Sequence, residues 1–271
     1  MSHTRHLYSL THDSTGSLML GPLMTAVAAV RSVAAYLLVS LYVLVVAPPG
    51  IVIALVTGRV WLLYWLGRQG VRLGLRTVGI RYRVAGAEHV DRGRASVYCV
   101  NHASNLEPPV VYLALAAAHP QLRILYKAEM HKIPLLSTVF DTAGFVPIQR
   151  RNREQSRVAI DTAAAALRAG NSFLIFPEGT RSRTGELLPF KKGGFVMADR
   201  GHAAIVPMTI LGTRQAMRRG SPIIRPVTVS VRIGAPIDPA SAESGTRDAV
   251  MQATRAAMVD LLAAGPVTNP R

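Results

Sequence analysis

From Ser32 to Gly58 no residue carries a charge. A run this long and apolar is ordinarily read as a helix that crosses a membrane. Pro48-Pro49-Gly50 interrupts it, and each proline removes a helical hydrogen bond. The piece from Ser32 to Ala47 reaches roughly 24 Å as a helix, short of the roughly 30 Å hydrocarbon core. Extended back past Arg31 to Pro22 it becomes long enough. The pattern predicts a helical hairpin over 22–77, broken at Pro48-Pro49-Gly50. It either spans the bilayer or dips into one leaflet, and the dipping, monotopic form is favoured.

The residues on either side support a membrane surface. Trp61, Trp65, Arg68, Arg72 and Arg76 fall within roughly an 80° stripe of a helix, which suits a segment leaving the apolar layer through lipid headgroups. Residues 1–21 are polar and read as a disordered lead-in. The net charge is +16, yet 49% of residues are hydrophobic. Asp13 is the only acid before Glu88, so the N-terminal third is both apolar and cationic. That combination favours membrane lipids over nucleic acid as the partner. The soluble part also lacks the basic-aromatic interleaving that RNA recognition uses. Cys99 is the single cysteine, which excludes an intrachain disulfide and a two-cysteine metal site.

After Gly79 the periodicity changes. Strands are expected at 80–84, 95–100, 122–126, 144–148, 172–176, 203–210 and 227–233. Helices are expected at 109–118, near 129–133, at 153–168 and at 243–264. Strands alternating with helices imply an α/β domain over 78–265, with a largely parallel sheet flanked by helices and a short tail at 266–271.

Reactive groups in such sheets collect beyond the strand C-termini. The first such segment is Asn101-His102-Ala103-Ser104-Asn105-Leu106-Glu107-Pro108-Pro109. Five helical steps would turn His102 and Glu107 away from each other. Glu107 and Pro108 each precede a proline, however, so a helix is expected to start at Pro108 or Pro109. His102 and Glu107 then share a loop, where the carboxylate can fix the imidazole tautomer and leave the other nitrogen as base. Lys127 follows the next strand, Arg150 and Arg151 follow another, and Phe176-Pro177-Glu178-Gly179-Thr180-Arg181-Ser182-Arg183 follows a fourth. One base, one orienting acid and several cations suit a substrate with a hydroxyl to deprotonate and a phosphate to hold. Gly179 is expected to let backbone N–H groups approach an anion. No Gly-x-Ser-x-Gly elbow, His-Glu-x-x-His pair or Walker loop occurs. Cys99 reads as a buried strand residue.

These blocks resemble the glycerolipid acyltransferase family, best known for the 1-acylglycerol-3-phosphate acyltransferases. The stretch 101–109 is similar to its first block and Gly144–Arg150 to its second. Phe176–Ser182 is similar to its third and Ile205-Val206-Pro207-Met208 to its fourth, all in order. The resemblance implies His102 as general base on the sn-2 hydroxyl of a lysophospholipid acceptor, in the making of phosphatidic acid. It implies that Arg150, Lys127 and Arg181, with Gly179 and Thr180, bind phosphate. Glu178 would place the glycerol end, and Pro207 would border the acyl donor, acyl-CoA or acyl carrier protein. No cofactor or metal is implied. The site is expected at the cell membrane, on its cytoplasmic face. One position departs from the family pattern: Glu107 stands where an aspartate is usual. That substitution motivates two other possibilities, a different lysophospholipid or glycolipid acceptor and a catalytically silent lipid-binding membrane protein.

Overall fold

The computed structural model describes residues 17–149, 152–239 and 246–268. Helix α1, Ser17–Thr57, packs antiparallel on α2, Trp61–Val78. The break falls at Gly58, not at Pro48-Pro49-Gly50, because α1 continues through all three residues. Two features account for this. Gly58 adopts φ +67°, a left-handed conformation that glycine enters without strain. Gly50 lacks the Cβ that would stand 2.7 Å from Leu66 Cδ1, so α2 packs directly against the proline turn. Ile51, Ala54 and Leu63 are buried at this contact. The two carbonyls that the prolines leave unpaired do not outweigh the packing there. The expected lead-in is also shortened: residues 1–16 lie outside the described residues, and 17–21 belong to α1.

The remaining chain forms a seven-stranded sheet ordered β1-β7-β6-β2-β5-β3-β4. Its strands are β1 Arg81–Ala85, β2 Ser96–Val100, β3 Leu122–Lys127 and β4 Val146–Ile148, then β5 Ser172–Ile175, β6 Ala204–Leu211 and β7 Thr228–Ile233. All neighbours are parallel except β6 and β7. Helices cover both faces: α3 Glu107–Ala114, α4 Pro134–Thr142, α5 Arg153–Arg168, α6 Gly193–Arg200, the short α7 Thr213–Ala216 and α8 Arg247–Ala263. Alternation along β2 shows how the sheet is held. Tyr98 and Val100 enter a core shared with α2 and α3, whereas Val97 and Cys99 enter one shared with α5, α6 and α8. Cys99 is fully buried, and burial pushes its thiol pKa up.

Three local expectations need correction. Helix α3 begins at Glu107, with Pro108 and Pro109 inside its first turn. Neither proline sacrifices a bond there, since the first N–H groups of a helix have no intrahelical partner. Helices α4, α6 and α7 were not foreseen. They are short, and α7 has only four residues, so periodicity carries little signal. The last helix starts at Arg247; residues 243–245 of its expected span lie outside the described residues.

Candidate active site

Strand β2 ends at Val100, and the chain is pinned as it leaves the sheet. The Asn101 amide accepts from Ile210 N–H at 2.7 Å and donates to the carbonyl of Ile210 at 3.1 Å. His102 is then held at both ends of its backbone. Its N–H donates to Glu178 Oε1 at 2.7 Å, and its carbonyl accepts from Ser182 N–H at 2.7 Å. The imidazole stacks on Phe176 with ring centres 4.2 Å apart. His102, two residues after β2, is thus clamped by the loop that follows β5, a sheet neighbour of β2.

The side-chain partner of His102 is Glu107, with Nδ1 2.6 Å from Oε2. A carboxylate only accepts, so Nδ1 carries the proton and Nε2 keeps a free lone pair. The Glu107 side chain is wholly buried and would be costly to ionise without compensation. Compensation is extensive. Ala103 N–H donates to both oxygens at 2.9 Å, Ser104 N–H to Oε1 at 2.9 Å, and Thr213 Oγ1 to Oε1 at 2.8 Å. Glu107 also opens α3, where the helix dipole favours negative charge. The extra methylene of glutamate is therefore accommodated, and its carboxylate reaches the ring.

The other expected residues fall in different places. Glu178 is buried, and its two oxygens accept the N–H groups of His102 and Leu188, at 2.7 and 2.9 Å. Its role in this geometry is to position the His102 loop. Burial raises its pKa, against the lowering effect of those two hydrogen bonds and of His102. Gly179 has φ +69°, and its N–H closes a turn onto Phe176 O at 3.0 Å, so that N–H is not aimed at an anion. Thr180 is exposed and Arg181 half-buried on the same loop. Lys127 ends β3 with its Nζ 3.3 Å from Glu129 Oε1, and β5 separates that strand from β2. Pro207 pairs with Cys99 inside the sheet. Arg150, with Arg151, lies outside the described residues.

Thr213 was missed. The signal available was Gly212, directly after an apolar strand. It adopts φ +95°, and a Cβ there would stand 2.9 Å from Thr228 O. That tight turn aims the next residue back at the β2 loop.

Two concavities border the 102–109 segment, the loop after β2 and the first turn of α3. Leu106, Pro108 and Pro109 line an apolar chamber of about 470 Å³ between α1, α2, α3 and α4. Gly67, Gly70 and Gly74 open it on the α2 side. Ala103 lines the second, a pocket of about 390 Å³ rich in arginine.

Fold and site together define a parallel α/β domain that carries a carboxylate-oriented histidine above its central strand. Residues 81–211 match the profile of the family described as Acyltransferase. A 1-acyl-sn-glycerol-3-phosphate acyltransferase of Limnanthes douglasii is 35% identical over 161 residues, covering 59% of this chain and 56% of that protein. Its counterpart in Borreliella burgdorferi is 30% identical over 146 residues, covering 54% and 57%. The chain thus spans about half the length of the curated relatives it matches. The crystal structure of the 1-acyl-sn-glycerophosphate (LPA) acyltransferase PlsC from Thermotoga maritima superposes with a TM-score of 0.64 and 25% identity, covering 86% of this chain and 98% of that one. Over residues 81–211 the chain is similar to the Acyltransferase family.

Proposed function

We propose that this chain is a membrane-bound O-acyltransferase that converts 1-acylglycerol-3-phosphate to phosphatidic acid in phospholipid biosynthesis. The acyl group comes from a thioester, acyl-CoA or acyl carrier protein. The observation that carries this is the Glu107–His102 pair on a loop bordering both an apolar chamber and a cationic pocket. An amphiphile with an anionic head and an acyl chain offers one partner for each.

In this mechanism Nε2 of His102 takes the proton of the sn-2 hydroxyl as its oxygen attacks the thioester carbonyl. The tetrahedral adduct collapses, the C–S bond breaks, and the imidazolium returns the proton to the leaving thiolate. Glu107 orients the ring and stabilises the imidazolium formed in between. The thioester is already activated, so no acyl-enzyme is required. The catalytically silent alternative loses its motive, because Glu107 reaches the ring.

Attachment to the bilayer is assigned to the α1–α2 hairpin. Segment Gly21–Thr57 of α1 is long and apolar enough to cross a membrane. Leu37, Leu44, Leu55, Val56, Trp61 and Trp65 are exposed along the hairpin. Arginines follow at the α2 end, which supports a domain on the cytoplasmic face, where thioester donors reside.

The test is transfer of a labelled acyl chain in liposomes across a panel of acceptors. Wild-type protein is expected to label lysophosphatidate in preference to other lysophospholipids. His102→Ala should abolish labelling while vesicle binding persists. Equal turnover by that variant refutes the mechanism, and preference for another acceptor refutes the substrate.

A further inference from the structure

Arg31 interrupts the apolar surface of α1, where Val27, Val30, Val33 and Leu37 around it are exposed. A charge set in such a run is costly in a bilayer and marks a binding role or a partner. The partner found is a partial one. Nε of Arg31 donates to the carbonyl of Thr77 at 2.9 Å, at the C-terminal end of α2. Gly79 follows with φ +76°, and a Cβ there would stand 2.7 Å from Nη2 of Arg31. Glycine therefore lets the guanidinium lie across the helix end. Capping of α2 accounts for Nε but requires neither of the two cations beside it. Arg76 and Arg81 join Arg31 around a pocket of about 670 Å³, lined also by Pro226, Val227 and Thr228. Among the described residues, no ion pair joins these three arginines to a carboxylate. Elsewhere on the surface cations are paired, as Arg94 is with Asp238 and Lys192 with Asp248. Three like charges around one concavity repel one another unless an anion joins them.

The segment that leads into the far wall is fastened to α1. Ser32 Oγ accepts from Ile224 N–H at 2.8 Å, and the Tyr36 hydroxyl donates to the carbonyl of Pro222 at 2.7 Å. The level of the pocket in the molecule is set by the sheet. Val100 pairs with Met208, Leu211 with Ser230, and Thr228 with Arg81. Strands β7 and β1 run against β6 and β2, so Arg81 begins its strand at the edge where β2 ends and His102 follows. Two strands, β7 and β6, separate the pocket from that base. The lining contains no acid and no histidine, so an anion seated there is held and not transformed. It also lacks an aromatic ring on which a base could stack, which disfavours nucleic acid.

We infer that Arg31, Arg76 and Arg81 bind the phosphate of an anionic glycerophospholipid of the surrounding bilayer, whose acyl chains lie along the exposed valines of α1. Guanidinium groups take phosphate oxygens through paired hydrogen bonds. The apolar surface on either side of Arg31 favours a lipid over a free anion, because burying it against acyl chains removes it from water. The lipid is a fixed neighbour of the protein and not the reacting acceptor. Its phosphate sits at the same edge of the sheet as His102, so the headgroup layer and the reacting hydroxyl are brought to one level. The bilayer as the source of the lipid rests on the assignment of the α1–α2 hairpin to the membrane.

The experiment titrates dioctanoylphosphatidylglycerol by calorimetry into the full chain in uncharged detergent micelles, comparing wild type with Arg31→Gln, Arg81→Gln and Arg157→Gln. Arg157 is exposed on α5, against the opposite face of the sheet, and its loss removes the same charge. Wild type should bind one lipid per chain saturably. Both pocket variants should bind at least about tenfold more weakly, the scale of one lost charge-assisted hydrogen bond, with Arg157→Gln unchanged. Equal weakening in all three variants would reveal diffuse attraction to a basic surface and overturn the site. No binding by wild type, or full binding by Arg81→Gln, overturns it as well. The Arg81 side chain is exposed, so that variant decides where Arg31→Gln fails to fold. Inorganic phosphate and dioctanoylphosphatidylcholine should each bind at least about tenfold less tightly than the anionic lipid. Phosphate that matches it assigns the pocket to a free anion and overturns the lipid; a matching zwitterion overturns the selection by charge. Flotation with uncharged phosphatidylcholine vesicles tests the hairpin separately. Wild type left in solution would defeat membrane attachment, while the titration still decides the pocket.

Discussion

Thr213 and Glu107 lie 106 residues apart in the chain, yet Thr213 Oγ1 donates a 2.8 Å hydrogen bond to Glu107 Oε1. Both side chains are almost completely shielded from solvent. The bond leaves Oε2 to face the imidazole, so the hydroxyl determines which way the carboxylate points. Thr213→Val removes the donor at nearly constant volume and leaves a buried oxygen short of one partner. The expected result is a kcat lowered about tenfold with KM little changed. Thr213→Ser should restore most of the rate. In a Glu107→Gln background the second substitution should cost nothing further, because Thr213 acts through Glu107; an additive loss would mean a general structural role.

Glu107→Asp shortens the carboxylate arm by one methylene and should impair turnover. Glu107 starts α3, which fixes its Cα, so a shorter side chain retreats either from His102 or from Thr213. A misplaced base loses much of the roughly 10²–10⁴-fold benefit of proton transfer, and steady-state assays of the purified variant should show a fall of about that scale in kcat. A rate at or above wild type would show that the loop adjusts freely.

His119 supplies a pH dependence of stability. Its ring is buried against Tyr64 and Tyr112, and neither nitrogen has a hydrogen-bond partner among the described residues. Burial, reinforced by the charges of Arg68 and Arg92, pulls its pKa from 6.5 down to about 4. The folded pKa lies below the unfolded one, so folding favours the neutral ring. That contribution is complete above pH 6.5 and is lost as pH falls toward 4. The loss is on the order of 3 kcal/mol. Melting curves of wild type and His119→Leu should therefore diverge across this window, with the variant declining less.

Chain-length preference should respond to Gly67. A Cβ there would stand 3.0 Å from the Tyr112 hydroxyl, at the wall of the apolar chamber. Gly67→Leu places a larger side chain in that space. With acyl chains housed in the chamber, long-chain donors should be disfavoured and short ones spared. A donor panel reads this, with the melting temperature as a check on folding; a uniform loss across chain lengths would place the acyl group elsewhere.

Much of this molecule was legible before its coordinates. Seven strands and the two-sided burial of β2 follow from period-two alternation and apolar runs, because side-chain direction in a strand depends only on position. The pairing of His102 with Glu107 was legible for a similar reason: a histidine and a carboxylate beside two prolines leave few local geometries. The hairpin break was misplaced because proline chemistry is local, whereas the packing of Leu63 and Leu66 beside Gly50 depends on a second helix. The placement of Gly179 and Pro207 was hidden for a comparable reason, since a turn bond and a strand register depend on partners that a motif does not contain.

By itself the sequence determined an apolar, cationic N-terminal segment, an α/β domain and a base with its acid, since composition, periodicity and close spacing act over a few residues. Only the tertiary structure brought Thr213 under Glu107, put both oxygens of Glu178 onto backbone N–H groups and gathered the arginines around residue 214 beside the base. Contacts between residues so distant in the chain arise from the crossing of strands at the centre of the sheet, and no local pattern encodes that crossing.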